Sequence, residues 1–184
     1  MSVETQLLDR LTRQLWPEGN TLTGPQVHAV LDGARDERIE PLLRNGGLEY
    51  ACLFAGPLTP ALRAAAPFVV HLAPGSPLTE RIFEGGWGRN WGFLTVAPPD
   101  VTLLQLRRHF RTLLQVRDEA GRRLMFRFYD PRVLRVYLPT CTGEEAERFF
   151  GPVPQLLVRS TTDVALMSYE PSDAGVRIEK ISLQ

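Results

Sequence analysis

Lysine is almost absent from this sequence: of 21 basic residues, Lys180 is the one lysine and the others are arginines. Acidic residues also number 21, so the formal net charge is zero. Proteins that bind nucleic acid through phosphate contacts usually carry a basic excess, so we expect no nucleic-acid partner. Arginine makes planar, bidentate contacts that lysine does not make, although a GC-rich genome produces the same bias.

Cysteine and histidine are also scarce. Cys52 and Cys141 lie far apart and form no C-x-x-C pair, which argues against a disulfide framework. None of His28, His71 and His109 has a second histidine or a cysteine at ligand spacing. We therefore expect neither a metal nor another cofactor.

Long apolar runs are missing as well. No stretch approaches the roughly 18 apolar residues that a membrane span needs. The first residues also lack the basic and apolar regions of a secretory signal. The sequence predicts a cytoplasmic protein with no membrane partner.

Helical and strand-like patterns alternate along the chain. Helices are predicted over residues 3–16, 35–44, 77–84, 102–116, 131–138 and 143–150, with a helical turn or a loop within 58–66. Strands are predicted over 27–31, 50–56, 67–73, 91–97, 123–130 and 155–160, and the pattern is weak beyond Pro171. The alternation predicts an α/β fold: a mixed, mostly covered β-sheet with flanking helices in an N-terminal lobe, plus a smaller, more helical C-terminal lobe.

The whole chain, residues 1–184, is interpreted as a single domain. Its predicted parts are an N-terminal helix (1–20), an N-terminal α/β lobe (about 25–98), a C-terminal lobe (about 100–160) and a tail (161–184). Pro98, Pro99 and Asp100 separate the two lobes and are the best candidate for a hinge.

Short-range motifs predict where three helices begin. Thr102 with Gln105, and Thr142 with Glu145, have the spacing of a capping box. In the run "FRFYDPRVLRVYLPT" (126–140), Asp130 is placed to cap a helix. Pro131 would then stand at the first helical position, where a missing N–H leaves nothing unsatisfied.

Catalytic signatures are weak. No serine lies in G-x-S-x-G, and the glycine cluster "GGWGRNWG" fits no phosphate-binding motif. Asp32 and Asp130 follow predicted strands, where α/β proteins often place functional groups, but each could instead cap a helix. A small α/β hydrolase or transferase that uses Asp32, His71 or Asp130 is therefore the alternative to a binding protein.

The C-terminal half is rich in arginine and tyrosine, residue types that are frequent at the centres of protein interfaces. We interpret these positions as a candidate protein-binding surface: Arg107, Arg108, Arg111, Arg127, Tyr129, Arg132 and Arg135. A solvated arginine face with internal ion pairs is equally consistent with the sequence. A nucleic-acid surface formed by Arg107–Arg111 with Trp87 and Trp91 is a third alternative, which the zero net charge disfavours.

Several segments together resemble one known family. They are "VHAVLDGARD" (27–36), "YACLFAG" (50–56), "APFVVHL" (66–72), "WGRNWGFLTV" (87–96), "LLQLRRHFRTLLQV" (103–116), "FRFYDPRVLRVYLP" (126–139) and "RFFGPV" (148–153). In this order the chain resembles the bacterial family named domain of unknown function four-one-two-three, the adaptor chaperones of type VI secretion effectors. The resemblance spans residues 25 to 155, and its most specific part is "FRFYDPRVL".

The resemblance implies a protein that is not an enzyme. Such adaptors bind a cognate secreted effector, stabilise it and help to load it onto the spike protein, without themselves being secreted. The family supplies no catalytic residues, and Arg127, Asp130, Pro131 and Arg132 are its motif positions here. We expect Arg127→Glu combined with Arg132→Glu to weaken effector binding in a monomer that stays folded, and Asp130→Ala to cost about 1 kcal/mol of stability.

Overall fold

The structure is a computed structural model that describes residues 3–17, 24–86 and 88–183, with side chains from residue 6 onward. Its α-helices are α1 (Val3–Leu15), α2 (Ile39–Asn45), α3 (Pro60–Ala64), α4 (Pro77–Gly86), α5 (Leu103–Leu113), α6 (Pro131–Tyr137) and α7 (Gly143–Phe150). Its strands are β1 (Gln26–Asp32), β2 (Tyr50–Cys52), β3 (Pro67–His71), β4 (Gly92–Ala97), β5 (Gln115–Arg117), β6 (Arg123–Met125), β7 (Gln155–Arg159), β8 (Ala165–Ser172) and β9 (Gly175–Ser182). Residues 1, 2 and 18–20 of the predicted N-terminal segment, and Trp87, lie outside the described residues.

One antiparallel sheet organises the described part of the chain. Its strand order is β2-β3-β1-β4-β7-β8-β9, and β5 and β6 form a separate two-stranded hairpin. The central pairing places His28 opposite His71, and the β4–β7 pairing places Leu94 opposite Leu157. The predicted mixed α/β fold class is confirmed.

Both faces of this sheet are covered at its central strands. Along β1, Val27, Ala29 and Leu31 pack into a core to which α1, α2 and α4 contribute. Val30 packs into a second core, formed with α5, α6 and α7. Successive strand residues point to opposite faces, so a strand buried on both sides needs a nearly continuous apolar run. That requirement explains why residues 27–31 show no polar alternation.

The C-terminal third contains the main differences from the predicted elements. The strand predicted over 123–130 ends at Met125, because the chain then turns and buries Phe128 in the core. The predicted helix 102–116 ends earlier, and residues 115–117 form β5. The weakly patterned segment beyond Pro171 belongs to the hairpin of β8 and β9, which extends the main sheet.

Strands of both predicted lobes lie in the same sheet, because β4 pairs directly with β7. Residues 98–102 connect β4 to α5 at this point. The division into two lobes with a hinge stays a prediction. Among the described residues no helix is long and apolar enough to cross a membrane.

Candidate functional site

Asp32 ends β1 at a tight turn. Its side chain is fully buried and accepts a hydrogen bond from the backbone N–H of Ala34 at 3.1 Å. A Cβ atom on the next residue, Gly33, would lie 2.4 Å from the carbonyl oxygen of Ala64 and 2.5 Å from that of Ala66. Only glycine lets the backbone pass here, so the sequence "LDG" fixes the position of the Asp32 carboxylate. Asp32 therefore caps a 3₁₀ turn (Gly33–Arg35) rather than the predicted helix 35–44.

Arg127 neutralises this buried carboxylate. Its guanidinium donates a hydrogen bond to Asp32 Oδ2 at 2.7 Å, while about half of the Arg127 side chain, 47%, stays exposed. The guanidinium also lies 5.8 Å from the centre of the Tyr129 ring. Burial raises the pKa of the Tyr129 hydroxyl, and the negative charge of Asp32 adds to that effect. Tyr129 is 4% exposed, so little of it is open to a partner.

A second ion pair follows within the same motif. Asp130 caps α6 by accepting from the backbone N–H of Arg132 at 2.9 Å, with Pro131 in the first turn. The Arg132 guanidinium returns to the same carboxylate at 2.6 Å. Burial alone would raise the pKa of Asp130, but these hydrogen bonds outweigh it and hold the pKa below its usual range. The predicted cap is present, and the carboxylate is held as an anion.

The two pairs form one motif cluster: Asp32, Arg127, Tyr129, Asp130 and Arg132. The charge of Asp32 also acts on Arg132, which couples the pairs. The motif's phenylalanines point inward, where Phe128 stacks on Phe110 at 5.7 Å and Phe126 meets Tyr137 at 4.8 Å. The motif thus joins the end of β1 to the start of α6.

The arginines of α5 have a different environment. Leu104, Arg107, Arg108 and Arg111 follow an i, i+3, i+4, i+7 spacing and form what we term the α5 stripe. Arg107 Nε donates to the backbone carbonyl of Cys52 at 2.9 Å. Among the described residues no carboxylate lies within 4.0 Å of these three arginines. Leu104, which lies among them, is 50% exposed.

Arg135 belongs to neither group. Its guanidinium donates to the backbone carbonyl of Arg159 at 2.9 Å and contacts Asn90 Oδ1 at 3.3 Å. Burial lowers the pKa of Arg135. The structure therefore places the predicted binding residues in three separate environments, and Arg135 has largely structural contacts.

His71 lies apart from the other two candidate catalytic residues, Asp32 and Asp130. His71 pairs with His28 and Asp32 pairs with Pro67, so His71 and Asp32 are separated by four positions of the β1–β3 register. That separation corresponds to about 14 Å along a strand. Asp130 lies instead with Asp32 in the motif cluster. Within the described residues no group of three or more His, Cys, Asp or Glu side chains could hold a metal ion.

The family comparison agrees with the resemblance seen in the sequence. The model of the family described as Domain of unknown function (DUF4123) matches residues 27–148. This chain belongs to the DUF4123 family. No curated protein and no solved structure matches the chain.

The DUF4123 match begins in β1 and includes every residue of the motif cluster and of the α5 stripe. The strands β7, β8 and β9 follow it. Sequence patterns do not reveal the Asp32–Arg127 pair, since 95 positions separate its members. No local pattern links the two residues: Asp32 is equally consistent with a cap, and Arg127 is one of several charged residues in its segment.

Proposed function

We propose that this chain is a cytoplasmic adaptor and chaperone that binds a cognate type VI secretion effector and stabilises it. In this role it helps to load the effector onto the spike protein and catalyses no reaction. Membership of the DUF4123 family supports the proposal through the resemblance described above. The alternative hydrolase or transferase is less well supported, because His71 lies apart from Asp32 and because Asp32 and Asp130 are both held in internal ion pairs.

The observation that carries the proposal is the α5 stripe. Three arginines surround a half-exposed leucine, and no described carboxylate neutralises them. Arginine next to apolar surface is typical of protein interfaces, because its planar guanidinium binds carboxylates in pairs of hydrogen bonds. The motif cluster supports the same proposal differently. Its carboxylates are paired with arginines inside the protein, and such pairing is more typical of a structural role than of acid–base catalysis.

The test is co-purification of the tagged protein from its native host under conditions in which effectors are expressed, followed by mass spectrometry. We expect one large toxin-like protein, with or without the spike protein. The same preparation of an Arg108→Glu variant should recover less of it, whereas Arg81→Glu on α4 should recover the wild-type amount. Arg81 is a matched control, because it is exposed and belongs to the helix set on the other face of the sheet. Recovery of the tagged protein alone would refute the proposal.

A further inference from the structure

β2 lies at one end of the sheet order and has β3 as its neighbour. The hydrogen bonds between the β2 segment and β3 involve every second residue. The N–H of Leu53 donates to the carbonyl of Pro67, and the N–H of His71 donates to the carbonyl of Glu49, both at 2.9 Å. In an antiparallel pair the intervening residues direct their N–H and C=O groups away from the neighbour. Tyr50 therefore directs its N–H and C=O groups toward the open edge, and Cys52 directs its N–H there, whereas the Cys52 carbonyl already accepts from Arg107 Nε. Such an edge is a template on which another strand can pair.

The edge lies in the floor of a hollow. A space of about 510 Å³ is lined by Tyr50, Ala51 and Cys52 of β2, with Leu104 and Arg107 of α5 on one wall. Because Tyr50 packs with the core on the α2 side and Ala51 with the core on the α5 side, the hollow wraps around the strand edge. The opposite wall includes Arg63, which lies beyond the plane of the sheet from α5.

A second hollow continues along α5. Its volume is about 330 Å³, and Phe54, Leu58, Arg111 and Met125 line it. Met125 is 55% exposed and projects from the short β5–β6 hairpin. The two hollows follow one another along α5 and along residues 49–58, and we term the two together the β2 groove.

We propose that the β2 groove receives an extended, acidic and apolar segment of a partner protein, which pairs with the edge of β2. This inference rests on the proposed adaptor function and specifies where and how the adaptor holds its partner. Backbone hydrogen bonds to the N–H and C=O of Tyr50 and to the N–H of Cys52 supply affinity, and apolar side chains of the segment enter the two hollows. Carboxylates of the segment meet Arg107 and Arg111.

Charge favours an acidic occupant. Arg107 and Arg111 have no described carboxylate partner, and Arg63 is paired with Glu40. Glu49 is the one carboxylate in the described lining of the two hollows, so the groove keeps a cationic excess. The other edge strand, β9, is a poorer template. Its charges are already paired, Arg177 with Glu170 and Lys180 with Asp163, and charged side chains of this kind protect edges from pairing.

The direct test uses a synthetic peptide of about eight residues that alternates Val or Leu with Glu or Asp. It is titrated into the isotope-labelled full-length protein, and amide hydrogen exchange is followed by NMR. We expect the exchange of the Tyr50 and Cys52 amides to slow. Arg111→Glu should weaken binding about tenfold, and Arg81→Glu should leave it unchanged. The Arg111 side chain has no described hydrogen bond or ion pair within the protein, so this variant tests binding rather than folding.

Several results would overturn the inference. A peptide with lysine at the acidic positions could bind as tightly as the acidic peptide. Protection of backbone amides from exchange could be confined to β9, or the acidic peptide could fail to bind at millimolar concentration. Co-purification separates this inference from the proposed function. If wild type and Arg111→Glu capture the same partner equally well, the adaptor proposal stands and the groove is wrong. If the peptide binds at β2 but no partner is ever captured, the groove stands and the adaptor proposal fails.

Discussion

The Asp32–Arg127 pair predicts an asymmetry between its two single substitutions. Asp32 is fully buried, whereas 47% of the Arg127 side chain is exposed. Arg127→Met leaves a buried carboxylate without its cation, which typically costs about 3–5 kcal/mol. We expect the lower end, about 3 kcal/mol, because water reaches the pair from the Arg127 side.

Asp32→Asn should be milder. The asparagine oxygen can still accept the Ala34 N–H, and the guanidinium of Arg127 can hydrate through its exposed side. We expect a loss of about 1.5–2 kcal/mol, the lower part of the range for a hydrogen bond to a charged group. The double variant buries no charge at this position. It should therefore lose about as much as Asp32→Asn alone, so the cycle should give a coupling energy of about 3 kcal/mol, the full cost of Arg127→Met.

Urea unfolding at pH 7, followed by circular dichroism, measures all four proteins on one scale. Arg123→Met is the matched control, because Arg123 is exposed on β6 and has no described ion pair. Its stability should change by less than about 0.5 kcal/mol. If Arg127→Met costs less than Asp32→Asn, or if the two losses simply add, then the pair does not hold β1 to the motif.

Three further predictions concern stability. Burial, together with the charge of His71, lowers the pKa of His28 from 6.5 to about 4. Between these two pH values the unfolded state therefore binds more protons than the folded state. The free energy of unfolding should fall by about 3 kcal/mol as the pH drops from 6.5 to 4. When the free energy of unfolding is measured with urea at several pH values in this range, it should fall less steeply with decreasing pH for His28→Gln than for the wild type. An equal pH dependence of the two proteins would contradict the lowered pKa of His28. Asp130→Ala should cost about 2 kcal/mol by urea unfolding, more than a simple cap, because Arg132 loses its partner too; a loss below about 0.5 kcal/mol would mean that the cap is dispensable. Gly151→Ala should lower the free energy of unfolding by about 1–3 kcal/mol, because φ at this residue is +53° and the new Cβ would lie 2.4 Å from the His109 ring. An unchanged melting temperature would contradict that geometry.

Features that depend on neighbouring residues could be predicted from the sequence. The boxes at Thr102 and Thr142 and the cap at Asp130 are all present, because each involves residues no more than three positions apart. The strands β1, β3, β4 and β7 could be located for a similar reason. Each is short, apolar and bounded by turn residues, so the residues of the strand themselves indicate that it is buried.

Features that depend on distant pairing could not be predicted. β9 is an edge strand whose side chains are mostly exposed on both faces, so no apolar alternation marks it. The motif run 126–130 looks like a strand because Phe126 and Phe128 alternate with polar residues, but the adjacent residues Phe128 and Tyr129 both enter the same core, which successive residues of a strand do not do. Internal pairs with Asp130 were among the alternatives, and Arg132 makes one, but the pairing of Arg127 with Asp32 escaped prediction because the two residues lie far apart in the sequence.

The predicted binding residues differ in role according to whether a carboxylate of the protein pairs with them. Arg127 and Arg132 are held by buried carboxylates, so their substitution acts first on folding. Arg127→Glu would set a second carboxylate against buried Asp32, and like charges in a desolvated site repel strongly. The double reversal at Arg127 and Arg132, expected from the sequence to leave a folded monomer, should instead unfold the protein. Arg111 has no such constraint, so binding without loss of stability has to be tested on α5.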